Sequence, residues 1–452
     1  MRFWSFSFIF LMVFSIQQTK AETLADSMIS AYRNSNLLEQ NRAVLRAADE
    51  DLATAVASLR PVFAYSATRG FSWANSDAAP DQSSTTFSLN GSLNLYDFGR
   101  GELAKSIKKE MILRVRNTLI GIEQDVLLAA VKAYIGVRTS QETVSLRQKN
   151  YRVISQELDA AKARFEVGEI TQTDVAIAQS RLAVSRASLA AEEGTLLENR
   201  ESYKAATGAY PANVVNLPDL PKIPATLDEA IAYARANNID LAVARHSAKI
   251  ADLTVQSKRA ALRPSLTAKA SSDFDEEGHF AKSSASLTLS QNIYTGGSLA
   301  SVVRSAVNAQ YSAQAALRQA VVLVDQTVAK NWAALKVAQA GIDAAKLQIE
   351  ASQIAYNGVR EEASLGARTT LDVLNAEQDF LGAKDASLSA ESRLYSGTYA
   401  LLASLGMLTV DHLKLGIPTY DVLTYYDAVK NAPISQSKQG KKLDKLLKSL
   451  GK

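Results

Sequence analysis

Few residues in this chain have the type and spacing needed for enzyme or metal chemistry. The 452 residues include no cysteine and three histidines, His246, His279 and His412, which stand far apart and form no ligand spacing. No nucleophile with a matching base and no phosphate-binding loop emerges. The sequence therefore predicts a protein that is not an enzyme and needs no cofactor and no metal. The histidines are interpreted as surface or structural residues.

The positive charge is concentrated at the C-terminal end. The formal net charge is +4, yet the stretch from Ile434 to Lys452 alone carries six lysines against one aspartate. The rest of the chain is not basic, which argues against a nucleic-acid partner. We expect the lysine-rich stretch to be a flexible, solvated tail. The alternative is a short amphipathic helix that carries Leu443, Leu446, Leu447 and Leu450.

Many residues recur at matching positions in the two halves of the chain. The matching pairs are Leu59-Arg60-Pro61 with Leu262-Arg263-Pro264, Thr23-Leu24 with Thr226-Leu227, Tyr96 with Tyr294, Arg164 with Arg360, Gly168 with Gly366, Asp174 with Asp372, and Gly208 with Gly406. A unit of about two hundred residues is too long for a solenoid repeat. Each unit is therefore interpreted as a pseudo-symmetric half of a larger object, with extra residues around 76–83 in the first copy.

Composition and proline positions divide the chain into five segments. They are a signal peptide at 1–21, repeat 1 at 22–210, a proline-rich linker at 211–225, repeat 2 at 226–409, and a C-terminal segment with the lysine-rich tail at 410–452. The signal peptide is indicated by Arg2, the apolar run from Phe3 to Ile16 and the small Ala21. The apolar run is shorter than the ~20 residues that span a bilayer, which favours cleavage over a retained anchor.

The proline-free stretches of each repeat predict unusually long helices. Strong helix formers fill them, and Val175, Leu182, Leu189 and Leu196 step by seven residues, as in a coiled-coil seam. A helix from Gly99 to Val167 would be about 100 Å long, at 1.5 Å per residue. The second copy predicts another such helix over 298–365. Glycine followed by Thr and Asp predicts helical-hairpin tips near 166–174 and 364–372.

Each repeat also predicts two strands, at about 61–75 and 84–96, and at about 264–275 and 283–294. Apolar and small polar residues alternate along them, and the pattern fits a soluble sandwich or an outer-membrane barrel. The barrel is favoured because the strands have the length that a membrane barrel needs. Four strands cannot close a barrel, so the protein must assemble. Two copies would give about eight strands with a filled interior, and three copies about twelve, which are wide enough to conduct.

With these motifs in both repeats, the mature chain resembles the TolC-type outer-membrane efflux family along nearly all of its length. The resemblance is carried by Leu93-Asn94-Leu95-Tyr96-Asp97-Phe98-Gly99, by Arg164-Phe165-Glu166-Val167-Gly168 with Thr173-Asp174-Val175, and by Leu365-Gly366-Ala367-Arg368-Thr369-Thr370-Leu371-Asp372-Val373-Leu374. It implies an α+β membrane protein: a homotrimer with a TolC-like β-barrel of four strands per protomer in the outer membrane, continued by a long α-helical coiled-coil tunnel in the periplasm.

The resemblance also implies partners and a function. The trimer would be a passive, gated exit duct that contacts outer-membrane lipid, a periplasmic adaptor (membrane-fusion) protein and an inner-membrane pump of ABC or RND type. The system would serve multidrug efflux or type I secretion. The absence of a lipidated cysteine resembles the branch of the family without a lipid anchor. The alternative is a periplasmic coiled-coil adaptor or structural protein without a membrane barrel.

The family's functional positions map onto several residues of this chain. Asp174 and Arg368 match a gate-locking ion pair, and Asp372 matches a ring of aspartates at the narrowest point of the pore. Asn375 stands where a second aspartate ring is expected, and Ala363 where a gate-linking tyrosine is expected. The other expected positions are the adaptor-docking hairpin tips Val167, Gly168, Leu365 and Gly366, and the strand-to-helix turns at Tyr96, Gly99, Tyr294 and Gly297. A charged helix face exposed to solvent would be the alternative explanation of the three charges.

Overall fold

The structure is a computed structural model that describes residues 21–72, 82–215 and 217–450. The apolar run of the signal peptide and most of the longer loop expected at 76–83 lie outside the described residues. The helices are α1 (Leu24–Asn34), α2 (Asn36–Ala57), α3 (Arg100–Glu166), α4 (Gln172–Thr207), α5 (Leu227–Asn237), α6 (Ile239–Ala260), α7 (Ser298–Ser364), α8 (Thr370–Leu405), α9 (Val422–Val429) and α10 (Lys438–Leu450). The strands are β1 (Ala21–Glu22), β2 (Val62–Ser72), β3 (Gln82–Tyr96), β4 (Asn213–Val214), β5 (Ser265–Phe274) and β6 (Phe280–Ser290).

The duplication found in the sequence is confirmed by the helix lengths. Helices α1 and α5 have 11 residues each, and α2 and α6 have 22. The long helices α3 and α7 both have 67 residues, and their return helices α4 and α8 both have 36. At 1.5 Å per residue, each long helix measures about 100 Å, as the sequence predicts. None of the described helices combines the length and the apolar composition needed to cross a membrane.

The ends of corresponding helices carry the same capping features. Thr226 opens α5 with a capping box, in which its hydroxyl accepts from the backbone N–H of Glu229 and the Glu229 carboxylate accepts in return. Each return helix ends at a glycine with positive φ, Gly208 at 88° and Gly406 at 82°. A side chain at Gly406 would come within 2.5 Å of the carbonyl oxygen of Asn237, so this position needs glycine for space as well as for its backbone conformation.

The four strands β2, β3, β5 and β6 form one antiparallel sheet in that order. One face of it is lined with exposed apolar side chains, including Phe63, Tyr65, Phe280, Leu287 and Leu289, each at least two-thirds exposed. The opposite face is small and polar, with Ser271 hydrogen-bonded to Ser284 at 2.8 Å. This one-sided apolar surface is the pattern of a sheet that contacts lipid.

Strand β6 ends earlier than the sequence suggests, and the predicted extension to 294 is corrected. Its last residue, Ser290, pairs with Ser265, the first residue of β5. The preceding Pro264 has no backbone N–H to continue the ladder, so residues 291–294 have no partner strand there. Ile293 and Tyr294 consequently lie outside the strand and are 96% and 87% exposed.

One compact unit consists of the described residues up to Asn34 together with those of Ala129–Pro221 and Leu335–Ser396. Its helices pack through an apolar cluster of Ile154, Leu158, Ala161, Ala178 and Leu374. At its other end, the buried Tyr134 donates to the carbonyl oxygens of Glu22 and Val215 at 3.0 and 2.9 Å. The buried Tyr203 donates to the Glu22 carboxylate at 2.5 Å, so two tyrosines fix the beginning of the repeat against its helices.

The other compact unit comprises the described residues of Ser35–Leu128, Lys222–Ala334 and Gly397–Lys452. It contains the sheet and a small core in which Ala53 of α2 packs against Tyr425 and Val429 of α9 and Leu443 of α10. The expectation of a flexible C-terminal tail is wrong for residues 438–450, which form a helix with one leucine in this core. This helix is stabilised by contacts with residues that are distant in sequence, and the residues of the tail alone do not reveal those contacts.

Asp49 lies within the same unit and is an unusual buried carboxylate. It is 1% exposed, and its Oδ1 has no hydrogen-bond partner within the described residues. Burial raises the pKa of Asp49 to about 6, although the nearby positive charge of Arg116 opposes the shift. Folding therefore disfavours the charged form relative to the unfolded chain, although the carboxylate remains mostly ionised at neutral pH.

We predict that Asp49→Asn stabilises the protein in a pH-dependent manner. A carboxylate whose pKa is raised by folding stabilises the fold when protonated, and that contribution is lost as the pH rises through about 6. The neutral amide removes this loss, so we expect a gain of about 2–3 kcal/mol near pH 8 and little gain near pH 4. Thermal unfolding at both pH values measures it. An equal gain at both would show that the carboxylate charge is not the cause.

Candidate functional site

The two helical hairpins end in tips with the same construction. Helix α3 ends at Glu166, and Gly168 follows with φ 83°; helix α7 ends at Ser364, and Gly366 follows with φ 79°. Positive φ is the backbone conformation in which glycine commonly ends a helix. The chain then reverses within a few residues and starts the return helix. The sequence therefore gives the position of both tips correctly to within a residue or two.

Each return helix is opened by a threonine and an aspartate that bond to one another. Asp174 Oδ2 accepts from the backbone N–H and the hydroxyl of Thr171 at 3.0 and 2.7 Å. Asp372 Oδ2 accepts the same two bonds from Thr369 at 3.0 and 2.8 Å. These hydrogen bonds lower the pKa of both carboxyl groups, so both aspartates are ionised at neutral pH. Asp174 and Asp372, the two carboxylates expected at the pore, therefore also stabilise the first turns of α4 and α8.

Arg368 lies at the second tip and has a local partner. Its Nε donates to Glu362 Oε2 at 2.7 Å, and both side chains are about half exposed. Asp174 and Arg368 line one groove at the tips, together with Arg164 and Glu169. In the described part of this single protomer, the partner of Arg368 is Glu362 and that of Asp174 is Thr171. A lock between Asp174 and Arg368 therefore stays a prediction about the assembled protein.

The two positions that depart from the family pattern are also filled differently. Ala363 is 5% exposed, so a small, buried side chain occupies the position where the family pattern has a tyrosine. Asn375 Oδ1 accepts from Arg181 Nη2 at 3.1 Å, which places a cation beside the expected second ring position. A carboxylate at 375 would be partly neutralised by this arginine.

Below the tips, the helices enclose polar pairs that sequence reasoning missed. Glu377 is 8% exposed, and the amide of Asn150 donates to both of its carboxylate oxygens at 2.7 and 2.6 Å. Burial raises the pKa of Glu377, and the Asn150 bonds oppose that shift. Arg147 also pairs with Asp385 at 2.5 Å. The sequence did indicate that Glu377 could be buried, because it falls at helical spacing between the buried Leu374 and Leu381.

The strand-to-helix turns lie where the sequence places them. Gly99 and Gly297 both have φ 82°, between the last strand of each repeat and its long helix. The carboxylate of Asp97 accepts from the backbone N–H groups of Gly99 and Gly101 at 3.0 and 2.7 Å and so fixes the first turn. Tyr96 and Tyr294 are 57% and 87% exposed in the protomer, and their place at the membrane interface stays a prediction.

One set of metal-ligating side chains comes together at the exposed hairpin between β5 and β6. The ligand atoms of Asp275, Glu277 and His279 lie within 4.8 Å of one another, and no other such group is found in the described residues. Asp275 Oδ1 accepts from the backbone N–H groups of Glu277 and His279 at 3.0 and 2.8 Å. Asp275 therefore has a structural role in the turn.

The comparison with known proteins agrees with this geometry. The sequence profile of the family described as outer membrane efflux protein matches residues 29–209 and 230–407, one stretch in each repeat. The chain belongs to this family. It is 30% identical to the outer membrane efflux protein BepC of Brucella suis over 92% of both chains. It is also 25% identical to the alkaline protease secretion protein AprF of Pseudomonas aeruginosa, over 79% of both chains.

Solved structures with the same fold are outer-membrane channels. CusC superposes with a TM-score of 0.78 at 16% identity, covering 86% of this chain and 92% of CusC. The open state of the Neisseria gonorrhoeae MtrE channel has a TM-score of 0.75 at 21% identity, covering 85% of this chain and 88% of MtrE. The TolC-like α+β fold expected from the sequence is confirmed.

Family membership confirms further expectations. This outer membrane efflux protein lies in the outer membrane and extends into the periplasm, and it is a transport channel rather than an enzyme. The exposed apolar face of the sheet suits contact with the lipid of the outer membrane. The 67-residue helices are long enough to extend into the periplasm. The alternative of a periplasmic adaptor without a membrane barrel is not favoured by either observation.

Proposed function

We propose that three copies of this protein form the exit duct of a tripartite efflux or type I secretion system. The observation that carries the proposal is the four-stranded sheet with an exposed apolar face. Strands β2 and β6 lie at its edges, and unpaired backbone groups in lipid cost several kcal/mol each. Pairing β6 of one protomer with β2 of the next removes both edges, and three copies give a barrel of about twelve strands.

The mass of the purified assembly tests the stoichiometry. Native mass spectrometry of the protein in detergent should give three copies, and the species should persist on dilution because each interface closes a sheet edge. A stable monomer or dimer would contradict the proposal.

The proposal allows either efflux or protein secretion, because the relatives include an efflux protein and a protease secretion protein. In this scheme the inner-membrane pump, of ABC or RND type, supplies the energy and selects the cargo.

We further propose that the entrance of the duct lies at the hairpin tips and is held shut by polar links. Support comes from the charges at the tips, where Asp174, Arg368 and Asp372 are all fixed on short, capped turns. Across a trimer axis, three Asp372 carboxylates would form a ring that favours cations. Arg368 would exchange its exposed partner Glu362 for a carboxylate of a neighbouring helix pair at little cost, because exposed ion pairs are weak.

The tips themselves are the proposed docking site for the periplasmic adaptor. Val167 is 72% exposed and Leu365 is 78% exposed, and each precedes the glycine of its turn. An apolar side chain at the end of a long helical hairpin can gain about 1.5–3 kcal/mol when a partner buries it. Both tips carry one such residue, so a trimer would offer an even set of contacts around its end.

Replacing both apolar tip residues should disrupt adaptor binding. We predict that Val167→Glu with Leu365→Glu reduces co-purification of the co-expressed cognate adaptor about tenfold or more, because burial of two charges replaces burial of two apolar side chains. The control is Gln179→Glu with Gln348→Glu, which adds the same two charges at exposed positions of α4 and α7. Equal adaptor recovery with both double variants would contradict the docking proposal.

A further inference from the structure

The C-terminal helix α10 is strongly amphipathic. At about 100° per residue, its leucines group on one side and its lysines on the other. The leucines are Leu443, Leu446 and Leu447, and the lysines are Lys438, Lys441, Lys442, Lys445 and Lys448. Asp444 lies at the edge of the lysine face, one turn before Lys448, so the helix carries five lysines against one aspartate in a chain whose remainder is not basic.

The two faces of α10 have different surroundings. Leu443 is 8% exposed and packs in the core with α2 and α9, while Leu446 and Leu447 remain 39% and 43% exposed. All five lysines are exposed, and within the described residues none has an acidic partner. A side chain at Gly440 would collide with the carbonyl of Ile434, so the start of α10 is closely packed and the lysine face has a defined position.

The segment before α10 is fixed next to the beginning of the sheet. The guanidinium of Arg60 donates to the carbonyl oxygens of Ala432 and Asn431 at 2.9 and 2.5 Å. Arg60 is separated from β2 by Pro61 alone. This end of the sheet is where the exposed Tyr96 lies and where the long helices start, which makes it the periplasmic side.

We propose that the lysine face of α10 binds the anionic phospholipid headgroups of the periplasmic leaflet of the outer membrane. Clustered lysines beside a membrane-spanning segment are attracted by anionic lipid, and the attraction acts only within about a Debye length of the surface. The hydrogen bonds of Arg60 to Ala432 and Asn431 hold the segment before α10 at this end of the sheet, and the proposal places the lysine face within that range. The exposed Leu446 and Leu447 would add apolar contact at the edge of the same interface. The contact would hold the trimer at a fixed depth and is independent of the proposed gate and its partners.

The absence of cysteine makes a direct test possible. A fluorophore is attached to Ser449→Cys, an exposed site on the lysine side of α10, and the full-length protein is reconstituted in nanodiscs. The discs contain phosphatidylcholine alone or mixed with phosphatidylglycerol, and both carry the same headgroup-nitroxide quencher on phosphatidylcholine. We expect strong quenching in the anionic discs, weaker quenching in the neutral discs, and loss of the difference in high salt.

Charge variants separate this proposal from simple proximity. Lys441→Gln, Lys442→Gln and Lys445→Gln together should abolish the effect of phosphatidylglycerol, and glutamine preserves the helix. The control removes three exposed lysines from the long helices, Lys132→Gln, Lys330→Gln and Lys346→Gln, and should leave the effect intact. Equal quenching in both lipids, or an effect that survives the α10 variant, overturns the proposal. So does lysine-dependent binding to purified peptidoglycan without any response to phosphatidylglycerol.

Discussion

Arg368→Ser will raise the single-channel conductance of the protein in planar bilayers several-fold. In the protomer, Arg368 bonds to Glu362 at 2.7 Å, and because exposed ion pairs are weak, its guanidinium could exchange this partner for a neighbouring helix pair in the proposed closed trimer. Serine removes the charge and most of the length of the side chain, so the proposed link is lost and we expect the helix ends at the entrance to separate. The same argument predicts that high salt opens wild-type channels more than variant channels, because salt screens exposed links.

Arg186→Ser is the matched control for this measurement. Arg186 is an exposed arginine of the return helix α4 and has no ion-pair partner within the part of the chain that the structure describes. Its loss removes the same charge without touching a tip. The lock assigned to Arg368 is contradicted if both variants retain the wild-type conductance, or if both raise it equally.

Asp372→Asn will reduce the cation selectivity of the open channel. The carboxylate is ionised at neutral pH because two hydrogen bonds from Thr369 lower its pKa. Asparagine can accept the same capping bonds, so the turn is retained and only the charge is lost. Three charges disappear from the proposed ring, and the reversal potential in a KCl gradient should move toward zero.

Two further variants serve as comparisons for Asp372→Asn. Asp379→Asn removes an exposed carboxylate farther along α8 and should leave the reversal potential unchanged. Asn375→Asp restores an acid at the second ring position, but Arg181 lies 3.1 Å from the side-chain oxygen there. It should therefore add less selectivity than Asp372→Asn removes. A reversal potential insensitive to residue 372 would place the narrowest point of the pore elsewhere.

The long helices could be predicted closely from sequence, and the reasons are local. Proline-free runs of helix formers, ended by glycine, gave 99–167 for a helix that spans Arg100–Glu166. The end of β6 could not be predicted from its own residues, because Pro264, which precedes the neighbouring strand β5, stops the ladder. The position of helix α10 likewise depends on the packing of Leu443 against Ala53, Tyr425 and Val429, which lie outside the helix in sequence.

The candidate site was predictable in position and less so in its pairings. Glycine, threonine and aspartate spacing located both tips, and the capping bonds of Asp174 and Asp372 follow from it. The pairing of Arg368 with Glu362 depends on the conformation of the tip, and the burial of Glu377 against Asn150 depends on how helices approach one another. Sequence periodicity specifies which face is apolar, and it does not specify which polar groups meet across that face.

Disulfide cross-linking between protomers tests the central claim most directly, since the natural chain has no cysteine. Ser66 on β2 and Ser284 on β6 lie on the polar face of the two edge strands. Ser66→Cys is combined with Ser284→Cys, and in further variants with Lys282→Cys or Ser286→Cys to sample the register. A closed three-subunit barrel predicts oxidised dimers and trimers, and no larger species, for at least one pair. The opposite-face pair Ser66→Cys with Ala285→Cys should give none. Monomers at every register, or a ladder that ends at the dimer, would contradict the trimeric duct.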